Sequence, residues 1–330
     1  GSRQLSSDSN GNKSGAIVAL TCAENYEPAV VDDAVARQFQ LLGGVEKFVS
    51  RTDRVLVKPN LIADRPAAGA AVTDPSVIYS TARLLNDYGA KPFVGDSPAW
   101  NNTAGCIETL GLTDKLKKLG VDVVQLDKPK RKKIAGFHLG FSKVALEADK
   151  IINLPKFKAH QQLGATFAVK NMFGCICGKE KAFRHFSCRG SHEVFCKMLI
   201  GIYQHLQPAV SIIDGIIAME GMGPLSGEPR KLGFLIGSQD PLACELMCCK
   251  LVNFDPENLP IIQTARRLNF GCSDFGSIEV VGDSYQDHIC PDFKPAMQTP
   301  LFFSFPRICK SLAKQLAIRT KSLLHLRQSD

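Results

Sequence analysis

The feature that most restricts the fold is an alternation. Short apolar runs at 16–22, 54–58, 92–94, 121–126, 151–154, 209–213, 231–236 and 277–281 are separated by longer polar or helix-spaced segments. Apolar runs this short suit strands buried on both faces, and helical connections between them make neighbouring strands parallel. The expected fold class is α/β: a mostly parallel sheet with helices on both faces. Helices are predicted at 31–42, where Asp32 and Asp33 make an acidic first turn, and at 73–88, opened by Thr73-Asp74-Pro75 and stopped by Gly89. Three more are predicted at 106–119, at 191–207 behind the cap Ser191, and at 240–251 behind the cap Asp240.

Sheets of this kind bind ligands beyond the carboxyl ends of their strands. The residues there are Lys58 and Asn60, Asp96 and Ser97, Lys156 and His160, and Asp214. The stretch 150–178, KIINLPKFKAHQQLGATFAVKNMFGCICG, concentrates them. In extended chain the side chains of Lys156, Lys158 and His160 point the same way. Lys170 and Asn171 follow, and Glu220 lies in a glycine-rich run after Asp214. Cations beside a buried strand are expensive unless an acid or an anion meets them. No GxxxxGK[ST] loop and no GxGxxG opening a helix is present, so no nucleotide motif stands behind the site. No specific nucleic-acid motif is present either.

The net charge of +8 is concentrated in KPKRKK at 128–133 and in the last twenty-odd residues. Along 306–327, Ile308, Leu312, Leu316, Leu323 and Leu326 fall on one side of a helix, with Lys310, Lys314 and Lys321 opposite. This basic amphipathic helix suits docking on the parent domain, an anionic membrane surface or a protein partner. The chain divides into a disordered tag and tail at 1–14, an α/β domain at 15–290 and the extension at 291–330. The twelve cysteines lack a secreted framework, and Cys22, Cys244 and Cys248 sit in apolar segments. That usage fits core thiols in the cytoplasm. Whether a leader precedes Gly1 is open. His185, Cys188, His192 and Cys196 are irregularly spaced without a CxxC pair, a poor zinc set.

NLPKFKAH at 153–160 with VKNMFGCICG at 169–178 resembles the central motif of the domain of unknown function 362 family (DUF362). The resemblance continues in VLVKPNLI from Val55, in GDSP from Gly95 and in IIDGIIAMEGMGPLSGEPRKLGFLIGSQDPLACE at 212–245. Where this chain has Glu245, the family pattern generally has Asp. The family is uncharacterised, and its members are often iron–sulfur proteins with a ferredoxin-like module. The CxxCxxC run of that module is absent here. What the resemblance leaves as metal ligands is Cys175 and Cys177, with Cys188 and Cys196 nearby.

Three functions stay open. The first is an enzyme acting on a small anionic carboxylate or phosphate. In it His160, Lys156 and Asp96 are catalytic, and Lys58, Asn60, Lys158, Lys170, Asn171, Asp214 and Glu220 bind substrate, with a divalent cation as a candidate cofactor. The second is an iron–sulfur or other redox protein using Cys175 and Cys177. The third is a non-catalytic ligand-binding or peripheral membrane module.

Overall fold

The computed structural model describes residues 15–99, 101–177 and 191–297. The amphipathic helix predicted at 306–327, Cys188, His185 and the polar start at 1–14 all lie outside them.

Among the described residues the strands are β1 (Ala16–Cys22), β2 (Arg54–Pro59), β3 (Lys91–Asp96), β4 (Asp122–Gln125), β5 (Pro129–Ile134) and β6 (Phe137–Ser142). Then come β7 (Lys150–Leu154), β8 (Lys156–His160), β9 (Gly164–Thr166), β10 (Val210–Glu220), β11 (Glu228–Ser238) and β12 (Ile278–Gly282). The main sheet runs β12-β1-β11-β10-β7-β2-β3-β4, with β8 continuing beside β10 where β7 ends. Its pairings are parallel except those made by β11 and the short β8–β9 hairpin. The chain is thus an α/β protein with a mostly parallel sheet.

Pleating divides the core in two. Val18, Leu20, Leu56 and Ile151 join one apolar cluster, whereas their neighbours Ala19, Val55, Val57 and Ile152 join the other. Helices Pro28–Leu41 and Pro75–Tyr88 cover the second cluster. Helices His192–Leu206, Pro241–Leu251 and Pro260–Arg267 cover the first. Each face of the sheet is therefore sealed by helices, as the uninterrupted apolar strands require.

Several boundaries differ from expectation for identifiable reasons. The first helix begins at Pro28, so Asp32 and Asp33 stand in its second turn; Asp32 instead receives Arg83 and the Ser80 hydroxyl. The helix expected at 106–119 is two, Thr103–Thr109 and Thr113–Leu119, because Gly111 between them is left-handed at φ 67°. The basic run 128–133 belongs largely to strand β5, which no apolar run announced, paired with β6 through a turn in which Ala135 and Gly136 both have positive φ. Ala-Gly lacks the usual Asn-Gly signature, which hid the hairpin. Phe293, beyond the expected boundary at 290, is buried against Phe157 and Phe254. Cys22 is half-buried rather than core.

Candidate functional site

β8 builds the site. Pro155 interrupts β7, and the chain resumes as β8 alongside β10, with Lys156 opposite Asp214. On the inner side of β8, Phe157 stacks edge-on against Phe167 at 4.7 Å, and Ala159 is fully buried. That anchor turns Lys156, Lys158 and His160 together to the other side, as the period of two predicts. All three are buried.

Each lysine meets a different environment. Lys58, at the end of β2, pairs with Asp96 at the end of β3 (2.8 Å) and also donates to Pro59 O (2.6 Å). The Asp96 carboxylate is held in turn by the backbone N–H groups of Leu61 and Ser97. Lys156 pairs with Asp214 at 2.8 Å, and both side chains are at most 1% exposed. Among the described residues Lys158 Nζ reaches only neutral oxygens, Asn60 Oδ1 at 3.2 Å and Ala71 O at 2.9 Å. Its pKa is held well below the ordinary lysine range, first by burial and then by the charges of Lys170 and Lys156.

Asp214 does not follow its strand, as expected, but sits within it. β10 continues to Glu220, because β8 and β11 supply partners on both sides, with a register shift between Gly215 and Ile217. The Asp214 carboxylate accepts from Lys156, from the Tyr26 hydroxyl (2.7 Å) and from the Asp74 N–H (2.9 Å). Tyr26 also accepts from Lys156 Nζ (2.8 Å) and from Ile217 N–H. Burial and the Asp214 charge raise its pKa, so the phenol keeps its proton. Burial, then Asp214, raises the pKa of Asp74.

Tyr26 and Asp74 were not legible as site residues. Tyr26 lies in a loop with no motif. Asp74 has a sufficient local role as helix cap, accepting from Ser76 N–H at 2.9 Å.

The remaining candidates divide. Lys170, on helix Ala168–Asn171, stands near enough to Lys158 to depress it. Asn171 is a strut instead, donating to Lys58 O and Asn153 Oδ1. Glu220 accepts from Lys294 N–H and so ties down the segment after β12. His160 Nδ1 accepts from Gln162 N–H at 3.1 Å, which leaves Nε2 to carry the proton of the neutral ring. Cys175 and Cys196 are buried, and Cys177 is half-buried. Among the described residues no group of three or more His, Cys, Asp or Glu is placed to hold a metal ion.

Gly174 seals the Lys58–Asp96 pair. A Cβ there would stand 2.5 Å from both Lys58 Nζ and Asp96 Oδ1. Gly174→Ala is therefore expected to lower stability by about 1–3 kcal/mol through overpacking, read from urea unfolding. An unchanged midpoint would show that the pair is free to shift.

Comparison with known proteins agrees with the motifs. A model of a domain of unknown function, DUF362, matches residues 55–250. The chain belongs to the DUF362 family. A thylakoid-associated protein of Synechocystis sp. is 34% identical over 313 residues, covering 94% of this chain and 97% of that one. Two solved structures are more distant. Lactate racemase apoprotein from Thermoanaerobacterium thermosaccharolyticum aligns with TM-score 0.46 and 14% identity, covering 72% of this chain and 57% of its own. A Thermotoga maritima protein aligns with TM-score 0.46 and 12% identity, over 70% of this chain and 60% of its own. The motif segments that carry Lys58, Asp96, Lys156, Lys158 and Asp214 thus all fall within the part matched by the DUF362 model. Among the described residues no helix is long and apolar enough to cross a membrane.

Proposed function

We propose that this DUF362 protein is an enzyme acting on a small anionic substrate, a carboxylate or phosphate, at the Lys58–Asp96–Lys156–Lys158–Asp214 cluster. The observation that carries this reading is two buried Lys–Asp pairs beside a third buried lysine that has no acid partner among the described residues, at the carboxyl edge of a parallel sheet. The ammonium groups of Lys58 and Lys156, fixed by their acids, orient an anion without reorganising when it arrives, and Lys158 adds a donor beside them. His160, on the same face of β8, is the proton carrier, since an imidazole can both accept and donate a proton. Lys158 is covered by the groups that hold it, so entry requires the loop bearing Asn60 and Ala71 to draw aside. A peripheral membrane location is a second reading, favoured by the thylakoid association of the Synechocystis relative. It leaves the chemistry of the cluster unchanged.

Inorganic phosphate, sulfate or a dicarboxylate is expected to raise the melting temperature of the whole chain. Lys158→Met is expected to abolish that rise. Lys156→Ala is a poorer probe than the bare sequence implies, since it strands Asp214 and destabilises the ligand-free protein. An equal rise in Lys158→Met and the parent chain would put the anion elsewhere.

A further inference from the structure

We propose that Lys158 is an uncharged amine that forms a Schiff base with a carbonyl group of the anionic substrate, making the substrate class an oxo acid or a phosphorylated carbonyl compound. This rests on the reading that an anion enters the cluster, and it goes further by assigning a covalent role to one lysine.

Hydrogen-bond valence makes the first argument. A neutral primary amine has two N–H donors and one lone pair, whereas an ammonium has three donors and no acceptor. Lys158 Nζ has two acceptors among the described residues, Asn60 Oδ1 and Ala71 O. Both hydrogens of a neutral amine are then used, and the lone pair remains. Lys58 and Lys156 contrast with it, since each meets a carboxylate at 2.8 Å.

Charge makes the second. The ionisable groups that act on Lys158 are Lys170 from helix Ala168–Asn171, Lys156 from β8, Lys58 from β2 and Asp96 from β3. Lys58 and Lys156 are each offset by an acid, Asp96 and Asp214, while Lys170, the strongest of the charges acting on Lys158, adds a further cation beside it. Loss of the Lys158 proton relieves the repulsion and removes a charge from a residue 1% exposed. The same cations that depress Lys158 attract the carboxylate or phosphate that brings the carbonyl to it.

The step balances without an oxidant. The Nζ lone pair attacks the carbonyl carbon, and a C–N bond forms as the C=O π bond breaks. Collapse of the carbinolamine expels the oxygen as water, carrying both amine hydrogens, and leaves a C=N bond to Lys158. His160, two residues on along the same face, is placed to shuttle the protons.

The full chain would be incubated with glyoxylate and sodium cyanoborohydride at neutral pH, and the reduced adducts mapped by peptide mass spectrometry. Lys158 is expected to be alkylated at least about tenfold faster than Lys231, whose side chain is 59% exposed. Each unit of pKa depression makes about ten times more free amine at neutral pH. Inorganic phosphate is expected to slow labelling of Lys158 and not of Lys231. Labelling of Lys158 no faster than Lys231, in protein whose melting temperature phosphate does raise, overturns the Schiff-base role and leaves anion binding standing. Absence of both labelling and phosphate stabilisation overturns the two readings together. The Asn60→Asp variant supplies a second check on the charge of Lys158. A carboxylate at that position should re-protonate Lys158 and slow its labelling, and faster or equal labelling counts against the neutral amine.

Discussion

Asp214→Ala is expected to cost the protein about 3–5 kcal/mol, the range for breaking a buried ion pair by removing one partner. Its carboxylate is fully buried and accepts from Lys156 Nζ, the Tyr26 hydroxyl and Asp74 N–H at 2.7–2.9 Å. Truncation leaves an ammonium, a phenol and a backbone donor without their acceptor. The exposed pair Lys197–Glu193 is a fitting contrast, because it is as short (2.7 Å) but both side chains are 42% exposed. Glu193→Ala should leave the unfolding midpoint nearly unchanged, since solvent already screens that pair. Urea unfolding of the two variants checks both expectations. A loss below about 1 kcal/mol for Asp214→Ala would mean that Lys156 can shed its proton and that the pair does not hold the cluster.

Above neutral pH, Glu245→Gln is expected to be more stable than the parent chain. Glu245 is 1% exposed, and burial pushes its carboxyl from an ordinary 4.5 to about 8. Oε1 accepts from Val169 N–H at 3.0 Å, which ties helix Pro241–Leu251 to the turn that carries Lys170. Oε2 has no hydrogen-bond partner among the described residues. Between pH 4.5 and 8 the folded chain holds a proton that the unfolded chain has released, so unfolding becomes easier as pH rises. The stability is fully present below the unfolded value and is lost as pH climbs through the folded one. Its full span is on the order of 5 kcal/mol. Gln keeps the acceptor and never ionises, so the two proteins should melt together near pH 5 and diverge by several degrees at pH 9. Parallel melting curves across that range would show that Glu245 is ionised and solvated.

The interior of the fold was legible because it depends on local pattern. Apolar runs marked β2, β3 and β7, and the caps Asp74, Ser191 and Asp240 each accept a hydrogen bond from the first turn of the helix they open. Errors arose where a partner elsewhere sets the outcome. β10 runs on through Asp214 because β8 and β11 flank it, and the hairpin β5–β6 went unpredicted because each of its strands forms only against the other. Neither partner can be seen from the segment itself.

The candidate site divides along the same line. That Lys156, Lys158 and His160 share a face follows from a repeat of two in an extended chain, and the sequence alone determined it. Which acid meets which lysine was decided by the tertiary structure. Lys156 and Asp214 are 58 residues apart, and Tyr26 and Asp214 are 188 apart. They meet because strand order lays β8 against β10 and brings the loop after β1 to the same sheet edge. The charge state of Lys158 is likewise tertiary, since burial, its neutral acceptors and the flanking cations come from β2, β8, the loop after β2 and helix Ala168–Asn171. Local periodicity aims a side chain, but only packing sets its solvation and its partner.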